Sequence, residues 1–182
     1  MRAIVAAVGV GAMLLVVGCT DKPAGTGMPT AEPSSAKLSK EQLWDPCSLP
    51  DSVVAATGAD PGTENTTPAV VERPDWRLCQ WTAPPGSDGR WGYYVLGSST
   101  NKTLDEFRSN TYFHDFSDVE VKGRPALRFL LGSWGNECEF AFETSQGVVS
   151  VNANKYIDSK SATDPCVLAL AAAEQIVDVI PR

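Results

Sequence analysis

The single histidine of the chain, His114, is the first residue to consider for catalysis, because an imidazole exchanges protons near neutral pH. Asp115 follows it, but neighbouring residues on a strand point to opposite faces, so this carboxylate is poorly placed to orient the ring. Ser98, Ser99 and Ser133 could act as nucleophiles, and none of them lies in a Gly-x-Ser-x-Gly motif. A solvent-exposed loop histidine is the simpler interpretation, and we expect the protein not to be an enzyme.

Aromatic and basic residues around this histidine predict a binding surface instead. Exposed aromatic side chains in loops often mark ligand or partner sites, and an arginine nearby could hold an anionic group. The alternative is that the aromatic side chains fold inward as a small satellite cluster. The residues of this predicted ligand or partner surface are Tyr112, Phe113, His114, Phe116, Arg124, Arg128 and Trp134.

The chain has five cysteines, and Cys19, near its start, is expected to have a different role from the other four. The apolar run from Ala3 to Val17 follows Arg2 and ends at Gly18, which together form an export signal that is cleaved before Cys19. This stretch resembles the lipobox of bacterial lipoproteins, which implies acylation of the Cys19 thiol and a lipid anchor at the outer face of the cell membrane. A transmembrane helix would need about 20 apolar residues, and an ordinary signal peptide is the other alternative.

The other four cysteines are an even number in a chain expected to be exported, which predicts two disulfides and no metal or cofactor. No two of them lie within four residues of each other, whereas zinc sites use closely spaced pairs. Spacing leaves three connectivities open. An Asp-Pro-Cys sequence ends at Cys47 and again at Cys166, while Cys79 and Cys138 each lie two residues before an aromatic residue. This repeat favours Cys47–Cys79 and Cys138–Cys166.

The charge of the chain argues against several kinds of partner. It carries 15 Lys plus Arg and 22 Asp plus Glu, a net charge of −7, and cleavage of the signal removes Arg2 as well. An acidic protein lacks the basic surface that binds nucleic acid, and anionic lipid headgroups repel it. We therefore expect no nucleic-acid partner, and membrane attachment through the lipid on Cys19 alone.

The composition divides the chain into three parts. Residues 1–18 are the predicted signal peptide. Residues 19–40 are rich in Pro, Ala, Gly, Ser and Thr, which predicts a lipidated, disordered tether. Residues 41–182 have the composition of one globular domain, and they contain period-two apolar patterns typical of strands and a C-terminal apolar pattern typical of a helix. We predict an α+β fold: an antiparallel sheet of about five or six strands, with the C-terminal helix and short helices packed on one face.

Several of these features occur together in one known family. The lipobox, the tether, the paired Asp-Pro-Cys motifs and the Gly-Arg-Pro-Ala sequence at 123–126 resemble a family of small actinobacterial, mycobacterial-type cell-envelope lipoproteins. Its two-disulfide domain has no known function, so the resemblance implies a location and disulfides but assigns no functional residue except Cys19. We expect a non-enzymatic binding or accessory protein for a partner protein or an apolar envelope molecule. The alternatives are an envelope hydrolase that uses His114 and a serine, and an accessory subunit of a membrane transporter or regulator.

Overall fold

The computed structural model describes residues 37–69, 73–85, 92–157, 159 and 162–182. The predicted signal peptide, Cys19 and nearly all of the tether lie outside these residues. The described part begins with residues that already contact the domain: Lys37 Nζ lies 3.1 Å from a carboxylate oxygen of Glu106, and Asn101 Nδ2 donates to the Leu38 carbonyl at 2.9 Å. Within the described residues, no helix is long and apolar enough to cross a membrane.

Six antiparallel strands form one open sheet with the order β1-β2-β6-β5-β4-β3, as the sequence predicts in outline. Short 3-10 helices lie at Lys40–Gln42, Pro46–Ser48 and Pro61–Thr63. The strands are β1 (Trp76–Thr82), β2 (Tyr93–Thr100), β3 (Phe113–Val121), β4 (Arg124–Leu131), β5 (Glu137–Thr144) and β6 (Gly147–Lys155). The helices are α1 (Asp51–Ala56), α2 (Leu104–Arg108) and α3 (Pro165–Ile176).

The two Asp-Pro-Cys motifs begin their helices in the same way. The carboxylate of Asp45 accepts the backbone N–H of Cys47 at 3.0 Å, and that of Asp164 accepts the N–H of Cys166 at 2.7 Å. In both, proline occupies the first turn, where its missing N–H costs nothing. Disulfides then join Cys47 to Cys79 on β1 and Cys138 on β5 to Cys166, which is the pairing that the repeat favours.

One face of the sheet, which we call the helix face, is covered by α3 and forms the main apolar core. Alternate residues of β5 and β6, such as Phe142 and Val151, are almost completely buried there, and they pack with Ala173 and Ile176 of α3. The period-two pattern of the sequence therefore has its expected cause, the burial of one face against a helix.

Two parts of the fold differ from the sequence prediction. The residues around His114, predicted to form a loop, begin β3, which pairs with β4 and shifts register between His114 and Ser117. Asp115 at this shift has φ +55, a left-handed conformation that Asp tolerates better than most residues. In addition, α2 does not join the other helices: its Phe107 packs with Leu127 and Phe129 on the opposite face.

Candidate functional site

The second face of the sheet, which we call the cavity face, carries a row of buried polar side chains. Ser150, Asn152 and Asn154 alternate with the apolar core residues of β6 and are 1%, 3% and 6% exposed. Because the strands are in register, Asn152 lies opposite Glu139 of β5 on one side and opposite Leu96 of β2 on the other. The same strands that build the core thus place an unusual number of polar groups out of contact with water.

A cavity of about 550 Å³ opens on this face. Its volume falls in the range typical of small-molecule sites, about 300–1,000 Å³. The strands contribute Leu78, Gln80, Tyr94, Leu96, Ser98, Leu131, Glu137, Glu139 and Asn152 to the lining, and the surrounding segments contribute Pro68, Ala69, Arg73, Trp76, Lys102, Glu106, Phe107, Asn110, Tyr112 and Phe113.

Glu139 is the buried acid of the cavity, with 6% of its surface exposed. Burial raises the pKa of its carboxyl to about 7, although a hydrogen bond with the Ser150 hydroxyl favours the ionised form. Burial also raises the pKa of the neighbouring, half-buried Glu137, against the effect of a hydrogen bond with Asn154. At neutral pH Glu139 can therefore hold a proton and donate it in a hydrogen bond.

Asn152 has no hydrogen-bond partner among the described residues for either its Nδ2 or its Oδ1 atom. Its amide weakly favours the ionised form of Glu139, but no hydrogen bond of normal length and angle joins the two side chains. The neighbouring polar groups are satisfied: the hydroxyls of Ser98 and Ser150 lie 2.6 Å apart, and Asn154 Oδ1 accepts from Asn136 at 3.1 Å. Burying an amide without a hydrogen-bond partner lowers the free energy of unfolding by about 1–3 kcal/mol. A group from outside the chain that bonds to Asn152 would remove this loss.

Aromatic rings in tilted contact form one wall of the cavity. Phe107 lies 5.6 Å from Phe113 and 5.7 Å from Trp76, measured between ring centroids. The position of Phe107 is set by α2, which begins with a capping box: Thr103 Oγ1 accepts from the Glu106 N–H at 3.2 Å, and the Glu106 carboxylate accepts from the Thr103 N–H at 2.8 Å. The apolar wall is therefore held by packing and by a capped helix.

The residues of the predicted binding surface do not lie together in the structure. Tyr112 and Phe113 line the cavity. Phe116 instead packs inward, with its ring centroid 5.6 Å from that of Phe129, which is the satellite cluster named as the alternative. His114 is exposed and outside the cavity lining, and Trp134, 77% exposed, also lies outside it.

The two arginines of the predicted surface have partners within the protein. Arg124 donates to the carbonyls of Pro181 at 2.6 Å and Glu143 at 3.1 Å, and its guanidinium lies 5.4 Å from the Phe142 ring centroid. Arg128 donates to the Asp115 carboxylate at 2.8 Å. Both side chains therefore stabilise the fold rather than line the cavity.

The structure does not bring His114 together with the serines of β2. Four strand spacings separate β3 from β2, which is roughly 19 Å. Ser98 bonds to Ser150, and the Ser99 hydroxyl donates to the Trp44 carbonyl at 2.5 Å. Ser133 is exposed in the segment between β4 and β5.

One group of metal-type ligands lies close together in the described part of the chain. The ligand atoms of Cys47, Glu64 and Cys79 are within 4.8 Å of one another. The two sulfur atoms form a disulfide, whereas metal ligation uses thiolates, so this group is a structural bridge.

Sequence reasoning missed Glu139 and Asn152, two buried polar residues of the cavity lining. The signal was present: Glu139 lies between Cys138 and Phe140, and Asn152 between Val151 and Ala153. Alternation of this kind normally indicates a solvent-exposed face, and only the covering of that face by α2 and the Pro68–Ala69 segment makes it a buried site.

Comparison with known proteins identifies a family but no function. No curated protein matches the chain, and no solved structure does. A family model described as a protein of unknown function, DUF3558, matches residues 14–178, nearly the whole sequence. The chain therefore belongs to the DUF3558 family of proteins of unknown function.

Proposed function

We propose that this protein is an exported, lipid-anchored envelope protein that binds a small, largely apolar molecule in the cavity and catalyses no reaction on it. The observation that carries the proposal is the buried, unpartnered amide of Asn152 in the lining of a cavity of about 550 Å³. A site with this volume, aromatic walls and a few buried polar groups has the character of a small-molecule site.

The chemistry of the lining favours binding over catalysis. The described lining contains no histidine or cysteine, and its one serine, Ser98, is hydrogen-bonded to Ser150. In this proposal Glu139 serves as a hydrogen-bond donor to the bound molecule, because burial raises the pKa of its carboxyl to about 7.

Three features support export and anchoring. Disulfides form and persist outside the cytoplasm, and this domain has two. The apolar run before Cys19 supplies the signal, and the acyl chains on Cys19 would hold the domain at the outer face of the cell membrane. We also propose an actinobacterial source, on the motifs that resemble that envelope family.

Native mass spectrometry tests this proposal. The mature chain is purified from its own envelope without reduction, and its peptides are mapped for an acyl group on Cys19. We expect a co-purifying small molecule in the wild type and its loss in Leu96→Trp, which places a larger side chain in the lining next to Asn152 and narrows the cavity there. Val167→Trp, on the exposed surface of α3, is the matched control and should retain the molecule. A wild type without a bound molecule, or a Leu96→Trp variant that keeps it, would contradict the proposal.

An accessory role toward a partner protein is the second candidate, and exposed apolar side chains favour it. Trp134 is 77% exposed and Ile157 is 81% exposed. They lie at the same end of the sheet, where the Lys155 N–H donates to the Asn136 carbonyl at 2.9 Å. A photocrosslinking residue at position 134, used in the intact envelope, should then capture one partner protein; the same residue at Val167 is the control.

A further inference from the structure

We infer that the ligand of the cavity carries an uncharged amide edge, an N–H next to a carbonyl, that binds between Asn152 and Glu139. This inference rests on the proposed binding function and specifies the chemical class of its ligand. The occupant would be a carboxamide or lactam attached to a flat, apolar body.

The unpartnered amide of Asn152 defines the first requirement. Its Nδ2 group is a donor and its Oδ1 atom an acceptor, and both are buried without a partner in the described chain. A ligand that satisfies both must present an acceptor and a donor side by side. A ketone or an ether satisfies Nδ2 alone, and a hydrocarbon satisfies neither.

The acids beside Asn152 define the second requirement, the absence of charge. Glu139 pairs with Asn152 across β5 and β6, so their Cβ atoms are about 4.5–5.5 Å apart, and one ligand group can reach both side chains. A ligand carboxylate would lie near Glu139 and Glu137, and like charges repel. An ammonium group would suit Glu139 but would leave Asn152 Nδ2 without an acceptor.

The rest of the lining defines the body of the ligand. Leu96 lies next to Asn152 in the register of β2 and β6, and the rings of Trp76, Tyr94 and Phe113 line the same cavity. Aromatic side chains bind flat apolar groups by offset or edge-on contacts. Arg73 and Lys102 belong to the same lining but are more exposed than Glu139. These two charged side chains therefore lie nearer the mouth of the cavity than Glu139 does.

A matched series of four probes on one ring system tests the inference. The probes are 2-naphthamide, 2-naphthoate, 2-naphthylmethylammonium and 2-methylnaphthalene, titrated into the mature chain with its disulfides intact and followed by NMR. We expect 2-naphthamide to bind about tenfold or more tightly than each of the other three, because only the amide satisfies both atoms of Asn152.

Two variants assign this preference to its residue. Asn152→Leu, which keeps the number and branching of the side-chain heavy atoms, should abolish the preference for the amide, so that 2-naphthamide binds no more tightly than 2-methylnaphthalene. Gln175→Leu makes the same chemical change on α3, outside the cavity, and should keep the preference. Near-UV circular dichroism checks that both variants are folded, and the ranking of probes by the wild type decides the question if Asn152→Leu is not.

The results distinguish this inference from the proposed function. If any of the other three probes binds the wild type as tightly as 2-naphthamide, or if folded Asn152→Leu keeps the amide preference, the amide inference is wrong while binding in the cavity stands. If 2-naphthamide does not bind at all, the inference is also wrong, and the co-purification experiment then decides the proposed function separately.

Discussion

The two faces of the sheet are built by the same strands and both bury apolar side chains, but only the cavity face also buries a row of polar ones. On the helix face, Phe140 and Val151 are buried in an apolar core that α3 covers, and a disulfide fixes α3 to β5. On the cavity face, Glu139 and Asn152, which are adjacent in sequence to Phe140 and Val151, line a cavity of about 550 Å³. Period-two alternation thus places the main apolar core on one face and the proposed binding site on the other.

This division has an energetic consequence. Apolar burial on the helix face stabilises the fold, whereas buried polar groups on the cavity face lower its stability unless something pairs with them. Truncating core side chains on the helix face should therefore lower stability, whereas removing unpaired buried polar groups on the cavity face should raise it; the following predictions test that contrast from the largest expected effect to the smallest.

The largest effect is expected from a large-to-small change in the core. Phe142→Ala, at a fully buried residue of the helix face, should lower the free energy of unfolding by about 3–5 kcal/mol, measured with urea. Phe113→Ala, at a half-buried residue of the cavity wall, is the paired variant and should cost clearly less while weakening ligand binding. Equal losses of unfolding free energy in the two variants would mean that the two faces contribute equally to stability.

Removal of the bridge between α3 and β5 comes next. The double variant Cys138→Ala with Cys166→Ala opens a loop with a sequence separation of 28 residues. We expect a loss of about 3–4 kcal/mol, because the unfolded chain is no longer constrained. Thermal unfolding measures it. Binding to the remaining folded protein should be unchanged, since neither cysteine lines the cavity; loss of binding in the folded double variant would contradict the division.

Glu139→Gln should stabilise the protein at and above neutral pH. The pKa of the Glu139 carboxyl is about 7 in the folded chain and near 4.5 in the unfolded chain. Between these values the folded protein keeps a proton that the unfolded chain has lost, so the free energy of unfolding falls as pH rises from about 4.5 to about 7. The full loss is up to about 3 kcal/mol.

Urea unfolding at pH 4.5 and pH 8 measures this effect. The fall should become much smaller in Glu139→Gln, where only the raised pKa of Glu137 still contributes to it, and Glu120→Gln, at an exposed carboxylate of β3, is the control that should keep the full fall. A wild type whose stability did not fall over this interval would show that Glu139 is not a desolvated acid.

The smallest effect is expected at Asn152. Replacing its unpartnered amide with leucine should raise the stability of the free protein by about 1 kcal/mol, because a buried polar group without a partner is removed. Asn154→Leu is the matched change on the same strand, and it should lower stability, because the Asn154 amide is bonded to Asn136. If both variants lost stability equally, the Asn152 amide would have a partner in the folded chain.

The sequence was sufficient for much of the architecture. The Asp-Pro-Cys repeat predicted two helix starts because the motif caps itself: the Asp carboxylate accepts the Cys N–H, and this local contact needs no distant residue. The pairing of each motif cysteine with a strand cysteine followed from the repetition of the pattern. The predicted strands were found where one face is apolar, as in β6. The start of β3 was missed because His114 and Asp115 hide the alternation, and a register shift at this position breaks the period.

The site was harder to predict than the fold because its chemistry depends on burial by distant segments. In the sequence, Asn152 and Glu139 alternate with core residues, which is the pattern of solvent-exposed positions. The sequence does not show that Phe107 of α2 and Pro68 line the same cavity. Of the residues predicted to form a binding surface, Tyr112 and Phe113 line the cavity, whereas Trp134 and the two arginines lie outside its lining.

The most direct test of the account compares one tryptophan from each face in a single experiment. Indole and side-chain amide signals of the labelled chain are recorded while an organic extract of the source cells is added. Ligand in the cavity should shift the signals of Trp76 and the Asn152 amide and leave that of Trp81, which is 2% exposed on the helix face, unchanged. Shifts at Trp81 without shifts at Trp76, or no shift at either cavity residue, would contradict the assignment of binding to the cavity face.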